Sequence, residues 1–150
     1  MARPRFRLAT LLRLREAARD ERRAALAEAY RVDDVLARRA EELDQELARL
    51  RARMRRVAGP GKVDVDELLE AQRYELSLRA GRQRLDEQRG SVAEEIERRR
   101  ELLGEANREV RVLEKLREKQ ARRYRDEQAR REIKLLDETA QRRAALEETP

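Results

Sequence analysis

The residue types that usually carry enzyme chemistry are nearly absent from this sequence. Its 150 residues include no histidine and no cysteine, and Ser77 and Ser91 are its only serines. Nucleophilic triads, histidine general bases, thiolate metal sites and most zinc sites are therefore excluded. The five glycines lack the spacing of a phosphate-binding loop. The sequence predicts a protein that is not an enzyme and that uses no metal, no cofactor and no small-molecule substrate.

Arginine and lysine supply the remaining chemistry, which is the recognition of anions. Residues 1–15 contain five arginines and no acidic residue, and residues 115–125 contain six basic residues and one acid, Glu118. A further run of five arginines occupies residues 49–56. Basic clusters without acids attract acidic protein surfaces, nucleic acids or anionic lipid headgroups. Most other arginines are interpreted as solvated helix surface.

Long helices must position these clusters. Charged residues make up 47% of the chain and aromatic residues 3%, which is typical of a coiled coil rather than of a layered globular core. Disorder is the competing class, but the apolar residues recur at helical spacing. No apolar run approaches the roughly 18 residues of a membrane helix, so a cytoplasmic protein is expected.

One strong break, at residues 57–62, divides the chain. Its centre, Gly59-Pro60-Gly61, ends a helix and permits a reversal. Asp64 then fits a helix N-cap, and Glu67 fits its capping-box partner. The sequence predicts a single coiled-coil domain over residues 1–150, with helix 1 at about 5–58, a turn at 59–63 and helix 2 at about 65–147.

Apolar seams run along both helices at alternating steps of three and four residues, and the predicted seam of helix 1 includes Leu8, Leu11 and Val32. An antiparallel hairpin that reverses near residue 60 pairs residue i with about residue 121 − i and brings the seams together. The predicted fold is all-α, a long antiparallel two-helix coiled-coil hairpin whose second helix extends beyond the first. The predicted pairs include Leu11 with Val110, Ala29 with Val92, Leu36 with Leu85, Leu43 with Leu78, and Leu47 with Tyr74.

Two positions disturb this pattern. Arg22 would face Arg99, which predicts a splayed and solvated point in the hairpin. Gly90 and Ser91 resemble a second helix start, so a three-helix arrangement is an alternative. The hairpin register continues through Ile96, which favours an unbroken helix 2.

The predicted pairing between helix 1 and helix 2 ends near Leu116. Residues 117–150 then have no partner helix in the same chain, although the segment is helical in pattern. The hairpin also brings the basic clusters of residues 1–15 and 115–125 to the same open end. A long helix that extends beyond its partner is typical of a protein that binds another protein.

Two segments carry a resemblance to a known family. One begins Phe6-Arg7-Leu8 and continues as Leu11-Leu12-Arg13-Leu14-Arg15. The other runs from residue 113 to Asp137-Glu138-Thr139-Ala140. Together with the chain length and the longer second helix, they resemble the FliJ family, a small coiled-coil component of the flagellar type III export apparatus. The resemblance covers essentially the whole chain.

This resemblance implies partners rather than a reaction. The open end would insert into the pore of the hexameric export ATPase, as a central stalk does in rotary ATPases, and would promote ring assembly and ATP hydrolysis. The chain would also contact the membrane export gate protein and recycle export chaperones. It would then lie in the cytoplasm, peripherally at the cytoplasmic face of the inner membrane.

The resemblance and the surface pattern together give two groups of expected contact residues. The residues expected to contact the ATPase ring lie at the open end and are Phe6, Arg7, Leu11, Leu116, Arg117, Gln120, Arg123, Tyr124, Ile133, Leu136, Asp137 and Glu138. The residues expected to dock on the export gate lie in the half nearest the turn and are Leu69, Tyr74, Leu76 and Leu78. Within this second group, Leu69 and Leu76 form a stripe that the hairpin leaves exposed, unless a shift of register near the turn buries it.

Two other functions are alternatives. Similar hairpins serve as stalk subunits of related secretion or rotary ATPases, and the sequence pattern separates these poorly. A basic coiled coil that binds nucleic acid is disfavoured, because no continuous basic helix and no aromatic stacking set is present.

Overall fold

The structure is a computed structural model that describes residues 5–149 as two α-helices joined by a turn. Helix α1 spans Ala9–Val57 and helix α2 spans Val65–Glu147. The helices pack against each other, which confirms the all-α hairpin. Helix α1 begins four residues later than expected, after a turn in which the Ala9 N–H donates to the Phe6 carbonyl. Residues 1–4 and 150, including Arg3 of the predicted basic cluster, lie outside the described residues.

The start of α2 follows the sequence signals in part. The Asp64 carboxylate accepts hydrogen bonds from the backbone N–H groups of Asp66 and Glu67, at 3.1 and 3.3 Å, as expected of an N-cap. The Glu67 carboxylate instead accepts from Arg53 of α1 at 3.0 Å. Glu67 therefore ties the two helices together across the turn. Gly61 has a φ of 135°, a conformation that other residues rarely adopt.

The contacts divide the chain into two compact units. The hinge unit, residues 20–104, contains the turn. The terminal unit comprises residues 5–19 and 105–149. Both helices contribute residues to each unit.

The hinge unit is built on one apolar cluster. Its members come from both helices and are Leu36, Ala40, Leu43, Leu47, Leu50, Met54, Ala71, Leu78 and Leu85. The cluster includes the predicted pairs Leu36–Leu85 and Leu43–Leu78, which supports the predicted register. Two residues predicted for the seam are instead exposed, Val32 by 45% and Tyr74 by 50%. A straight helix drifts by about 20° per heptad relative to a strict 3.5-residue repeat, so the facing positions change along the hairpin.

Arg99 is better accommodated than the sequence suggested. Its guanidinium is half-buried and donates to the Ala25 carbonyl and, at 2.9 Å, to the Glu95 carboxylate. Arg22 is exposed. The expectation of a splayed, solvated point at Arg99 is therefore wrong, because a long guanidinium side chain can reach a backbone carbonyl of the facing helix.

Ion pairs flank the hinge-unit cluster on both sides. They join the helices at Asp33–Arg89, Asp44–Arg82, Arg51–Glu75 and Arg53–Glu67, with N–O distances from 2.9 to 3.3 Å. Helix α2 continues without interruption through Gly90, and the Ser91 hydroxyl donates to the Glu87 carbonyl within that helix. The three-helix alternative is therefore excluded.

Candidate functional site

The terminal unit contains a small apolar cluster. Leu12, Val110 and Leu113 are buried in it, and Phe6 packs against them. Leu12 is 4% exposed whereas Leu11 is 37% exposed, so the predicted pairing of Leu11 with Val110 is wrong. The seam passes through Leu12 and then through charged residues. The sequence therefore has no apolar repeat there from which this seam could be predicted.

Polar contacts join α1 and the residues that precede it to α2 within this unit. The Gln120 side-chain amide donates to the Arg5 carbonyl at 3.1 Å. Within α1, the Arg15 guanidinium forms an ion pair with the Glu109 carboxylate of α2 at 3.1 Å. Phe6 is thereby held between the two helices, where it separates two shallow grooves.

The first groove combines apolar walls with basic edges. Its lining residues are Phe6, Arg7, Leu8, Leu116, Lys119, Gln120 and Arg123. Five of these, Phe6, Arg7, Leu116, Gln120 and Arg123, were expected ring contacts. Leu8 and Lys119 line the same groove and were not among the expected ring contacts, although the sequence placed Leu8 in the seam and Lys119 in the basic cluster.

The second groove lies on the other side of Phe6. It is lined by Phe6, Ala9, Leu12, Arg13, Glu16, Arg117, Gln120 and Ala121. Arg117, another expected contact, therefore faces a different groove from Arg7 and Arg123. Tyr124 follows one turn later and is half-buried.

Net positive charge is confined to the terminal unit. Its described residues contain 18 basic and 12 acidic side chains, whereas residues 20–104 contain 19 and 20. Because interspersed charges cancel beyond about one Debye length, the hinge unit has little long-range field. The terminal unit can attract an acidic surface from a distance.

The last part of α2 is a helix without a covering layer. Every side chain of the exposed segment, residues 129–149, is exposed among the described residues. Its apolar side chains include Ile133 at 59% and Leu136 at 69% exposure. Asp137 and Glu138, the remaining expected ring contacts, follow directly. Protein helices gain most of their stability from packing of an apolar face. The exposed apolar side chains of this segment are therefore available to pack against another chain.

The residues expected to dock on the export gate do not form one surface. Leu69 and Leu76 are exposed and lie seven residues apart on one face of α2. Tyr74 is exposed beside α1, where its hydroxyl donates to Glu46 at 3.3 Å. Leu78 lies in the buried cluster of the hinge unit. The available surface is therefore the pair Leu69 and Leu76.

Electrostatic perturbations in the hinge unit arise from contacts within α2 and from contacts between the two helices. The hydrogen bond from Arg99 lowers the pKa of Glu95 below its ordinary value. Hydrogen bonds to Asp44 and Asp86 raise the pKa of Arg82. Contact with the Tyr30 hydroxyl raises the pKa of Arg100, whose guanidinium also lies 5.8 Å from the Tyr30 ring centre. These groups stay charged at neutral pH and take part in the ion pairs and hydrogen bonds of the hairpin.

Two features are absent from the described part of the chain. No group of three or more acidic residues is arranged to hold a metal ion within residues 5–149. No helix in that range is long and apolar enough to cross a membrane.

The family comparison agrees with the geometry of the hairpin. A family model described as the flagellar FliJ protein matches residues 4–149, nearly the whole chain. Searches of curated proteins and of solved structures find no match. Members of the matching family are non-enzymatic components of flagellar export. The chain therefore belongs to the FliJ family and is a coiled-coil component of flagellar protein export.

Proposed function

We propose that the terminal unit inserts into the pore of the hexameric export ATPase and promotes ring assembly and ATP hydrolysis. The observation that carries this proposal is the exposed segment, whose helical part has no covering layer among the described residues, next to two basic and apolar grooves. A pore is the kind of partner that can surround a single helix on several sides.

The chemistry of the grooves suits an acidic and apolar pore wall. Phe6 and Leu116 offer apolar contact in the first groove, with Arg7 and Arg123 at its edges. Arg117 presents a further guanidinium in the second groove. Arginine binds carboxylates through two parallel hydrogen bonds, which fixes orientation as well as adding affinity. Charge attraction would also accelerate the first encounter.

No residue of this chain takes part in ATP hydrolysis under this proposal. The chain would act by binding one conformation of the ring more tightly than another, which shifts the equilibrium between them. Ile133 and Leu136 would contact the pore wall along the exposed segment, and Asp137 with Glu138 would meet basic groups there.

A chain that ends at Gln128 tests this proposal. It lacks the exposed segment but keeps the apolar cluster around Val110, so its hairpin should unfold at nearly the same temperature. We expect it to lose most of the stimulation of the cognate export ATPase in a steady-state hydrolysis assay. Full stimulation by the shortened chain would contradict the proposal.

A charge-reversal pair separates specific docking from general basicity. Arg7→Glu with Arg123→Glu should weaken binding to the ring by about tenfold or more, since both residues line one groove. Arg49→Glu with Arg55→Glu changes the net charge equally in the hinge unit and is the matched control. Equal loss in both double variants would show that only net charge matters.

The proposal extends to the membrane export gate. Leu69 and Leu76 form an exposed apolar pair in the hinge unit, and gate binding through them would hold the protein peripherally at the inner membrane. Leu69→Ser with Leu76→Ser should abolish binding of the gate's cytoplasmic domain in calorimetry while preserving ATPase stimulation. Undiminished gate binding would exclude this surface. Recycling of export chaperones is proposed on the family likeness alone, with no surface assigned.

A further inference from the structure

The exposed face of α2 in the terminal unit has an ordered pattern of its own. Its residues repeat at steps of three and four and form the outer stripe: Arg122, Asp126, Ala129, Ile133, Leu136, Ala140, Arg143 and Glu147. All eight are exposed. At 100° per residue they lie about half a turn from Val110 and Leu113, which face α1. The outer stripe therefore has the spacing of a coiled-coil seam, and no other part of residues 5–149 covers it.

The residue order of the outer stripe makes it complementary to an antiparallel copy of itself. When the stripe is paired with an antiparallel copy so that Ile133 meets Leu136, Ala129 meets Ala140. Asp126 then meets Arg143, and Arg122 meets Glu147. The centre of the overlap is aliphatic, and each outer layer joins opposite charges. Two-fold symmetry repeats every one of these contacts.

The flanking positions agree with this arrangement. Arg130 lies beside the stripe at the position that faces Asp137 of an antiparallel partner, which adds two opposite-charge pairs per dimer. A parallel, in-register pair would place Arg122 on Arg122 and Asp126 on Asp126, and like charges in contact destabilise a coiled coil. The charge pattern thus selects the antiparallel orientation.

The terminal unit leaves room for such a partner. The segment before α1 contacts α2 through Gln120, whose side-chain amide donates to the Arg5 carbonyl, and Ala121 lines the groove on that side. The outer stripe lies on the other side of α2. Ion pairs within 4.0 Å are not found for Arg122, Asp126, Arg143 or Glu147 in the described structure, so these charges are available for an intermolecular contact.

We propose that two copies of this chain form an antiparallel dimer through residues 122–147, with Ile133 packed on Leu136 of the second copy. The overlap of 26 residues is about 39 Å long. Its aliphatic centre is small, so the dimer is weak and its population depends on protein concentration. If the proposed function holds, the dimer covers Ile133, Leu136 and Asp137 and competes with insertion into the ATPase ring.

Disulfide trapping tests the orientation, and the absence of native cysteines makes it clean. Ala129→Cys and Ala140→Cys are made as separate variants of the full chain and mixed under mild oxidation. The proposed register brings Cys pairs together only between different variants. In a dimer of two copies of the same variant, the two cysteines are offset by 11 residues along the axis. This offset is about 16 Å, which is beyond the reach of a disulfide. A disulfide that forms only in the mixture supports the proposal, and disulfides within each variant alone overturn it.

Charge exchange tests the flanking pair by sedimentation velocity at increasing protein concentration. Arg130→Asp or Asp137→Arg alone creates two like-charged contacts per dimer and should raise the dissociation constant about tenfold or more. The combined Arg130→Asp and Asp137→Arg variant should restore it. A monomer at every concentration, or a single variant that dimerises like the parent chain, overturns the proposal.

Neither test depends on an ATPase, so failure of the proposed function leaves these outcomes intact. All four substituted side chains are exposed, and far-UV circular dichroism should show unchanged helicity. If the stripe instead belongs to another protein, the chain alone gives no mixed disulfide, which also overturns the dimer.

Discussion

The hinge unit and the terminal unit use the same residue types in opposite ways. In the hinge unit, basic and acidic residues are nearly equal in number, and several pairs bridge the helices beside a nine-residue apolar cluster. In the terminal unit, basic residues are in excess and the cluster contains three buried residues and Phe6. Charge that is paired across helices holds the hairpin together, whereas charge in excess is available for a partner.

The apolar residues show the same contrast. Leu47 is buried against the opposite helix, whereas Leu136 is 69% exposed. Burial of a leucine side chain contributes about 1.5–3 kcal/mol, so the two leucines differ in what they contribute to the monomer. Leu136 has most of that free energy still to gain on binding.

Paired leucine substitutions give the largest expected difference between the units. Leu47→Ala should lower the free energy of unfolding by about 2–5 kcal/mol, because it removes buried contacts and leaves a cavity. Leu136→Ala should change it by less than about 0.5 kcal/mol in dilute protein. Urea unfolding followed by circular dichroism measures both. A large loss for Leu136→Ala would mean that this surface is already covered in solution.

A substitution in the smaller cluster sharpens the comparison. Val110 is 2% exposed, and Val110→Ala should cost about 1–2 kcal/mol from the lost methyl groups. We expect hydrogen exchange to accelerate in residues 9–19 and 106–116 while amides around Leu47 exchange at their former rate. Uniform acceleration along the whole chain would show that the two units unfold as one.

Glycine substitutions test the backbone of the hinge unit. A Cβ at Gly90 would meet no atom within 4 Å, so Gly90→Ala should stabilise the helix by about 1 kcal/mol. Gly61→Ala should destabilise, because φ at Gly61 is 135°. Thermal unfolding compares the two. Destabilisation by Gly90→Ala would indicate that α2 bends at this point.

The smallest expected effect concerns pH. Because Arg99 lowers the pKa of Glu95 in the folded chain, the stability from this contact is present above the unfolded pKa, about 4.3. It is lost as the pH falls through the lower folded pKa. The melting temperature of Glu95→Gln should therefore lie slightly below that of the parent at pH 7 and approach it in acid. Glu94→Gln, which removes an exposed neighbouring charge, is the control and should lack this convergence.

Much of the fold followed from local signals in the sequence. Gly59-Pro60-Gly61 predicted the reversal, and Asp64 predicted a start of α2 near residue 65, where the structure has it. The residues of the expected pairs Leu36–Leu85 and Leu43–Leu78 share one buried cluster, because apolar residues are dense there and fix the register. Leu11, Val32 and Tyr74 were wrongly placed in the seam, because the periodicity of a sparse pattern cannot follow the drift of the facing position along a straight helix.

The candidate site was predictable in composition and less so in arrangement. The sequence alone determined that histidine and cysteine are absent, that residues 1–15 and 115–125 are basic, and that helix 2 extends beyond helix 1. Only the packed structure decided that Arg7 and Arg123 share one groove while Arg117 faces another, and that Leu78 is buried while Leu76 is not. Helical spacing assigns residues to faces of one helix, but which face is covered depends on the partner helix and its register. That information comes from contacts between residues far apart in the chain.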